Sequence, residues 1–210
     1  MSRLRITYSK TAAMRYTSNL DIHKIWERSL RRARLPLAYS QGFHPQPRLT
    51  QACPLPLGLT SQTEMIDVWL DSDPPVEEVA AALGPALPPG LELRSIQPVD
   101  PREPALPTQV SSADYIATLL DPVDAGLLAR QVQELLAAPE LWREWRDKRV
   151  NLRPLIENLE LLPPDGQGRV RLAMRLAARE GATGRSEQVL AALGYDPYDV
   201  RVERIQLNFS

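Results

Sequence analysis

SNLDIHKIWERSLRRARLPLAYSQGFHPQPRL, Ser18–Leu49, decides how the N-terminal half of the chain folds. Ser18 can cap a helix, and Asp21 places a carboxylate in its first turn, against the positive end of the helix dipole. The helix is expected to run to about Arg34, because the residue before Pro36 is pushed out of helical backbone. Ile22, Ile25, Trp26, Ser29, Leu30 and Ala33 recur at helical spacing and form one face, while Asp21, Lys24, Arg28, Arg31 and Arg32 gather on the other. SQGFHPQPRL, Ser40–Leu49, is a poor ordinary connection. Pro45 and Pro47 fix their backbone φ, Gly42 opens conformations closed to other residues, and Phe43 presents a stacking face.

Upstream, Arg3–Tyr8 alternates with the period of a half-buried strand, with Leu4, Ile6 and Tyr8 inward and Arg3, Arg5 and Thr7 outward. Downstream come a short strand near Arg48–Cys53, the turn PLPLGLTSQ, a strand over Glu64–Leu70, an Ala-rich helix over Pro75–Leu87 and a strand over Leu91–Val99. Strand, helix, strand, strand, helix, strand is the order of a ferredoxin-like unit. Pro98, Pro101, Pro104 and Pro107 recur every third residue and favour an extended, semi-rigid linker.

The second half repeats the plan. A strand is expected over Asp114–Leu120 and a helix over Pro122–Ala138, with Val123, Leu127, Leu128, Val132, Leu135 and Leu136 inward. Strands follow over Leu141–Arg149 and Leu155–Leu162, joined irregularly at Val150–Pro154. After the PPDGQG turn come a strand over Arg169–Ala177, a short helix over Ser186–Leu193 and a last strand over Val200–Phe209. The fold class is thus α+β, with two ferredoxin-like (βαββαβ) units in tandem, the second with room for an extra strand. The expected divisions are 1–99, a Pro-rich linker over 100–111, and 112–210.

Of 210 residues 43% are hydrophobic, enough to bury proper cores and to exclude global disorder. The net charge of −1 conceals an asymmetry: residues 1–50 sum to +8 and the remainder to −9. A basic segment on a near-neutral chain points to a surface patch for an anionic partner. MSRLRITYSK carries charge where a secretory leader would have its apolar core, and no apolar run is long enough to span a membrane. A cytoplasmic location without membrane partners is expected.

Few catalytic devices are available. His23 and His44 are the only imidazoles and Cys53 the only thiol, too few for a zinc site, and no cysteine triplet could hold an iron–sulfur cluster. Cys53, in QACPLP, reads as a small buried side chain. Phosphate-loop and dinucleotide fingerprints are lacking, so no cofactor is expected. What the central segment can do is bind. Arg28, Arg32 and Arg48 bring guanidinium groups toward Phe43, and an aromatic beside paired arginines suits an unpaired base and its phosphate. The competing structural reading plugs Phe43 into the core and pairs Asp21 with Arg28 or Lys24. A second basic field could form where Arg143, Arg146, Lys148, Arg149 and Arg153 lie beside Arg169, Arg171 and Arg175 on one face of their strand.

Over Ser18–Leu70 above all, and more weakly over Val150–Leu159 and Ala182–Leu190, the chain resembles a bacterial family described as radical SAM-linked. The matching positions are Ser18, Leu20, Asp21, Arg28, Arg32, Ser40, Gln41, Gly42, Phe43, Pro45, Pro47, Gly58, Ser61 and Glu64. The family pattern has His where this chain has Asn19, and Asn and His where it has His44 and Gln46. A histidine that moves makes a poor obligatory ligand or base. The resemblance implies a radical SAM protein as partner.

The candidate binding residues are Arg15, Ser18, Asp21, Arg28, Arg32, Ser40, Gln41, Gly42, Phe43, His44, Arg48, Arg153, Arg171 and Arg175. The function expected is a non-catalytic RNA-binding or substrate-presenting companion of a radical SAM enzyme. Two alternatives stand beside it. One is a metal-independent RNA-processing or RNA-modifying enzyme, with His44 as acid/base or Asp21 as nucleophile. The other is a protein–protein adaptor.

Overall fold

The computed structural model describes residues 1–145 and 148–210, and they fold as a mixed α+β chain built on antiparallel strand pairing. Backbone contacts divide it into two units, 1–110 and 111–210.

In the first unit, β1 (Ser2–Lys10), α1 (Asn19–Arg32), β2 (Leu49–Gln51), β3 (Thr60–Leu70), α2 (Val76–Leu83) and β4 (Leu91–Val99) follow in sequence. The strands lie in the order β2-β3-β1-β4, each pair antiparallel. Leu4, Ile6 and Tyr8 alternate inward and meet Ile66 and Val68 on β3, with Ile22, Trp26 and Leu30 of α1 and Val79 and Leu83 of α2 above them. Tyr8 and Trp26 meet edge to face, with ring centroids 4.7 Å apart, an arrangement that adds to the area they bury.

The opposite face of β1 corrects the sequence reading. Arg3 and Arg5, expected in solvent, are only 2% and 8% exposed. They converge on Asp67 of β3, which is fully buried: Arg3 donates from Nη2 at 2.6 Å and Arg5 from Nε at 2.9 Å. Arg5 is the cross-strand partner of Asp67, so the register itself brings the charges together. Alternation identified the two faces of β1 but not the carboxylate waiting on a strand some sixty residues away.

Arg3 also reaches the proline-rich segment, donating to the carbonyls of Glu103 at 2.8 Å and Pro104 at 2.9 Å. Leu106, at the start of α3 (Leu106–Gln109), is fully buried, and α3 packs against β2. Of the stretch 100–111 read from sequence as a linker, residues 100–110 fall within the first unit.

At the end of α1, Leu35 N–H donates to Leu30 and Arg34 N–H to Arg31, the paired bonds that close a helix C-terminus. This closure needs a left-handed residue, and Arg34 supplies it at φ 54° where glycine would be easier.

The second unit comprises β5 (Val110–Leu119), α4 (Ala125–Ala137), β6 (Trp142–Trp145), β7 (Lys148–Asn151), β8 (Ile156–Leu162), β9 (Arg171–Arg179), β10 (Ala182–Thr183), α5 (Ser186–Ala192) and β11 (Val200–Phe209). β9 is flanked by β8 and β10 on one side and by β5 on the other, with β11 beyond β5. The strand expected over Leu141–Arg149 is instead a hairpin, β6–β7, whose strands pair with each other. α4 buries Leu128, Val132 and Leu135, whereas Leu127, expected inward, is exposed. Arg204 of β11 is fully buried, its guanidinium donating to the Tyr115 hydroxyl from Nη2 at 3.0 Å.

Between β8 and β9, Arg169 closes the PPDGQG turn on Asp165, with Nε donating at 2.7 Å and the backbone N–H at 2.9 Å. The guanidinium first, and the N–H second, hold the Asp165 carboxyl down at about 2. A depressed carboxyl stabilises the fold above its unfolded pKa, and that stabilisation is lost as pH falls through the folded value.

Two outcomes follow from these contacts. Asp67→Asn leaves two buried guanidinium groups without their counter-charge and is expected to lower unfolding free energy by about 3–5 kcal/mol in urea titration. In Arg169→Ala, the Asp165 carboxyl, followed by carbonyl-detected NMR, is expected to titrate higher than in the wild type, moving toward the ordinary ~4 without reaching it, because the backbone N–H groups of residues 167 and 169 still bond it. The turn's contribution to stability, present above ~4, should then be smaller and should fade less between about pH 4 and 2, the window of the wild-type shift.

Candidate functional site

The loop after α1 is held at its base by backbone. Residues 36–38 and 48 bond to the end of β3: Ala38 N–H donates to Trp69, Trp69 N–H to Arg48, Arg48 N–H back to Ala38, and Asp71 N–H to Pro36. Further out, Ser40 N–H donates to Gln46 at 2.8 Å and the Ser40 hydroxyl accepts from Gln46 N–H at 3.0 Å. Gly42, at φ 136°, makes the reversal that a side chain would resist. Gln41, Phe43 and His44 project from a loop clamped at both stems. Phe43 is 102% exposed, so the reading that buries it in the core is overturned. The prolines, with no N–H to satisfy, let so tight an excursion stand in water.

Arg48 lies over the Trp69 indole, its guanidinium carbon 5.1 Å from the ring centre, with Arg3 at 5.2 Å. Such contacts orient a cation while leaving its edge open to other partners. On α1, Arg28 is exposed and has no ion-pair or hydrogen-bond partner among the described residues. Arg32 makes one long bond, from Nη1 to the Ala86 carbonyl at 3.5 Å. Both lie on the last two turns of α1, the end from which the loop springs.

Arg15, Ser18 and Asp21 sit at the other end. Over the 14 residues of α1, a rise of 1.5 Å each separates the two ends by about 20 Å. There Ser18 accepts from Asp21 N–H at 3.2 Å, and its hydroxyl donates to the Asp21 carboxylate at 2.6 Å. Asp21 thus serves the cap rather than an ion pair with Arg28 or Lys24. The Arg15 carbonyl accepts from Gly58 N–H and from the Lys10 ammonium. A cleft opens beside these residues, with the buried Lys10 and Glu64 in its wall; Glu64 is among the positions that match the resembled family, while no motif singled out Lys10.

The second basic field is largely committed to its own unit. Arg153 donates from Nε and Nη2 to the Leu136 carbonyl, at the C-terminal end of α4, and from Nη1 to Ile156. Arg175 pairs with Asp114 at 2.7 Å, Arg171 donates to the Pro163 carbonyl at 2.9 Å, and Arg169 closes its turn on Asp165. Arg149 lies over the Trp142 ring, and Arg143 donates to the Trp142 carbonyl. Arg146 and the Lys148 side chain lie outside the described residues. Cys53 is buried. Among the described residues no group of three or more His, Cys, Asp or Glu could hold a metal ion, and no helix is long and apolar enough to cross a membrane.

Among solved structures, the chain is similar to one in a Cbf5-Nop10-Gar1 complex, with TM-score 0.50 and 10% identity over 97% of this chain. It is also similar to one in an archaeal box H/ACA sRNP Nop10-Cbf5 complex, with TM-score 0.48 and 11% identity over 98% of this chain. In both cases it spans about half of the other chain, 48%. No curated protein matches it. The sequence model of one family covers residues 3–186, and the chain therefore belongs to DUF2344, described as an uncharacterized protein conserved in bacteria.

Proposed function

We propose that this protein binds single-stranded RNA through the Ser40–Leu49 loop and the neighbouring cations of α1, and that it acts as a non-catalytic companion presenting RNA to a radical SAM enzyme. The observation that carries the reading is Phe43, wholly exposed at the tip of a loop clamped by Ser40 and Gln46. A large aromatic in that position has nothing to pack on within the chain and is pre-set to receive a planar partner. Stacking on an aromatic is tolerant of base identity, and nearby guanidinium groups answer the phosphates. Arg28, Arg32 and Arg48 retain donors for that task, whereas Arg153, Arg171 and Arg175 are engaged within the second unit and take a smaller part.

The architecture supports the same reading. Strand orders β2-β3-β1-β4 and β8-β9-β5-β11 repeat one plan, which we read as two ferredoxin-like units in tandem, with β6–β7 and β10 as additions to the second. The likeness to a chain of a Cbf5-Nop10-Gar1 complex bears on fold alone. The radical SAM partner and a cytoplasmic location rest on the sequence reading.

The test is fluorescence anisotropy with a mixed-sequence single-stranded RNA across a salt series. Affinity is expected to fall steeply with salt, and Arg28→Ala with Arg32→Ala to reduce the log–log slope by roughly 1.4, about 0.7 for each lost phosphate contact. Phe43→Ala is expected to weaken binding about tenfold at every salt, the loss of one stacked base. Absence of RNA binding at low salt, or binding indifferent to all three substitutions, overturns the proposal. Nuclease-resistant capture of a protein without RNA binding makes the chain an adaptor instead. Recovery of a radical SAM protein on co-purification from native cells supports the companion role, and its absence removes that part alone.

A further inference from the structure

Phe43 has a counterpart at the other end of α1. Tyr16 is 79% exposed, and the backbone on either side of it is fixed. The buried Lys10 ammonium donates to the carbonyls of Arg15 at 3.3 Å and Thr17 at 3.1 Å, the two residues that flank it. Gly58 N–H also donates to the Arg15 carbonyl at 3.0 Å, and Thr17 N–H to that of Met14 at 3.0 Å. The Tyr16 ring thus stands in water on a backbone held at both neighbours, as Phe43 stands on the stem closed by Ser40 and Gln46. An aromatic on fixed backbone gives up little freedom when a planar partner stacks on it. We infer that a single RNA strand lies along the exposed side of α1, one base on Phe43 and another on Tyr16, with phosphates between them on Arg28 and Lys24.

The helix between the two aromatics has the surface such a strand needs. Leu20, Lys24 and Arg28 recur every four residues and form one exposed line, opposite the buried Ile22, Trp26 and Leu30. Lys24 and Arg28 have no ion pair or hydrogen bond among the described residues, so their donors are available to phosphates. The carboxylates of α1 are engaged. Asp21 accepts from the Ser18 hydroxyl at 2.6 Å, and Glu27 lies 3.6 Å from His23 Nε2 and 3.9 Å from Arg31 Nη1. Arg31, Arg32 and Arg34 are exposed as well, so cations outnumber carboxylates along the helix and the field there favours a polyanion. Leu20, 74% exposed, adds apolar ground between Lys24 and Tyr16 for the flat side of a base or sugar.

The sheet fixes how far apart the two platforms stand. Along β1 and β3, Lys10 faces Ser61 at the end that carries Tyr16, and Ser2 faces Leu70 at the end that carries the loop, where Leu37 bridges to Leu70. The nine residues of β1 place these ends about 27 Å apart at the strand rise, and the 14 residues of α1 span about 20 Å. A stacked strand covers such a distance in about 6–8 nucleotides. A shorter RNA reaches one platform at a time and loses the gain of holding both.

That the ligand is RNA rests on the reading proposed above; that the strand continues along α1 to Tyr16 goes beyond it. The test is fluorescence anisotropy on the full chain with mixed-sequence single-stranded RNAs from about 2 to about 12 nucleotides. Affinity is expected to rise with length and to level off at about 6–8 nucleotides. Tyr16→Ala is expected to cost about tenfold on RNAs beyond that length and no more than about twofold on those of about 4 nucleotides. Tyr16→Phe keeps the ring and is expected to keep the affinity. Lys24→Ala is expected to lower the log–log salt slope by about 0.7 on the long RNAs. An affinity that levels off at about 2 nucleotides overturns the track on the unaltered chain. So does a Tyr16→Ala affinity equal to wild type at every length while Phe43→Ala weakens binding, and that result leaves RNA binding at the loop intact. Absence of binding at every length overturns both.

Discussion

A single buried carboxylate organises the first unit. Asp67 sits fully out of solvent between Arg3 and Arg5, and burying such a group is favourable only with charge-assisted hydrogen bonds on its oxygens. A replacement by apolar residues of equal volume could be as stable, since desolvation offsets most of the attraction inside a buried pair. What apolar residues would lack is registry. A one-residue slip of β1 on β3 would carry both arginines to the helix-covered face, so the ion cluster selects one pairing among those that alternation alone permits.

The same arginine carries that constraint outward. Arg3 reaches the carbonyls of Glu103 and Pro104, fastening residues 100–110 to the unit. It also flanks Trp69, whose other neighbouring cation is Arg48. Trp69 accepts from Ala38 N–H, and Arg48 accepts from Trp69 N–H, so the stem of the Ser40–Leu49 loop stands on the strand that Asp67 registers. A loop anchored in this way gives up little conformational freedom when a partner arrives, and the lost cost of ordering appears as affinity. Phe43 can then be fully exposed without being loosely held.

The distribution of cations follows from which of them find carboxylates or carbonyls nearby. In the second unit Arg169, Arg175 and Arg153 close a turn, join β5 to β9 and cap the end of α4. In the first, Arg3 and Arg5 are spent on Asp67, and Arg28 stands free of partners among the described residues. The +8 of residues 1–50 therefore overstates the charge a partner meets there. α1 holds its candidate residues at two ends, Arg28 and Arg32 toward the loop, and Ser18 and Asp21 beside the cleft.

The sequence by itself determined the features that depend on near neighbours. The apolar stripe of α1, the Ser18 cap, the inward set of β1 and most element positions in both halves follow from periodicity and capping, which are local. So does the irregular backbone of Ser40–Leu49, since Gly42, Pro45 and Pro47 make it a poor ordinary connection. Whether Phe43 faced core or water, whether Arg3 and Arg5 faced out or in, and which arginines kept free donors were decided only by the tertiary structure. Each depends on a group remote in the chain: Asp67 for Arg3 and Arg5, Leu136 for Arg153, Asp114 for Arg175. The cleft of Lys10, Asn19, Gln51 and Glu64 is the extreme case, because its walls come from β1, α1, β2 and β3, which share no local pattern. Local preferences act over a few residues, whereas a buried charge takes its partner from wherever strand pairing brings one within hydrogen-bond reach.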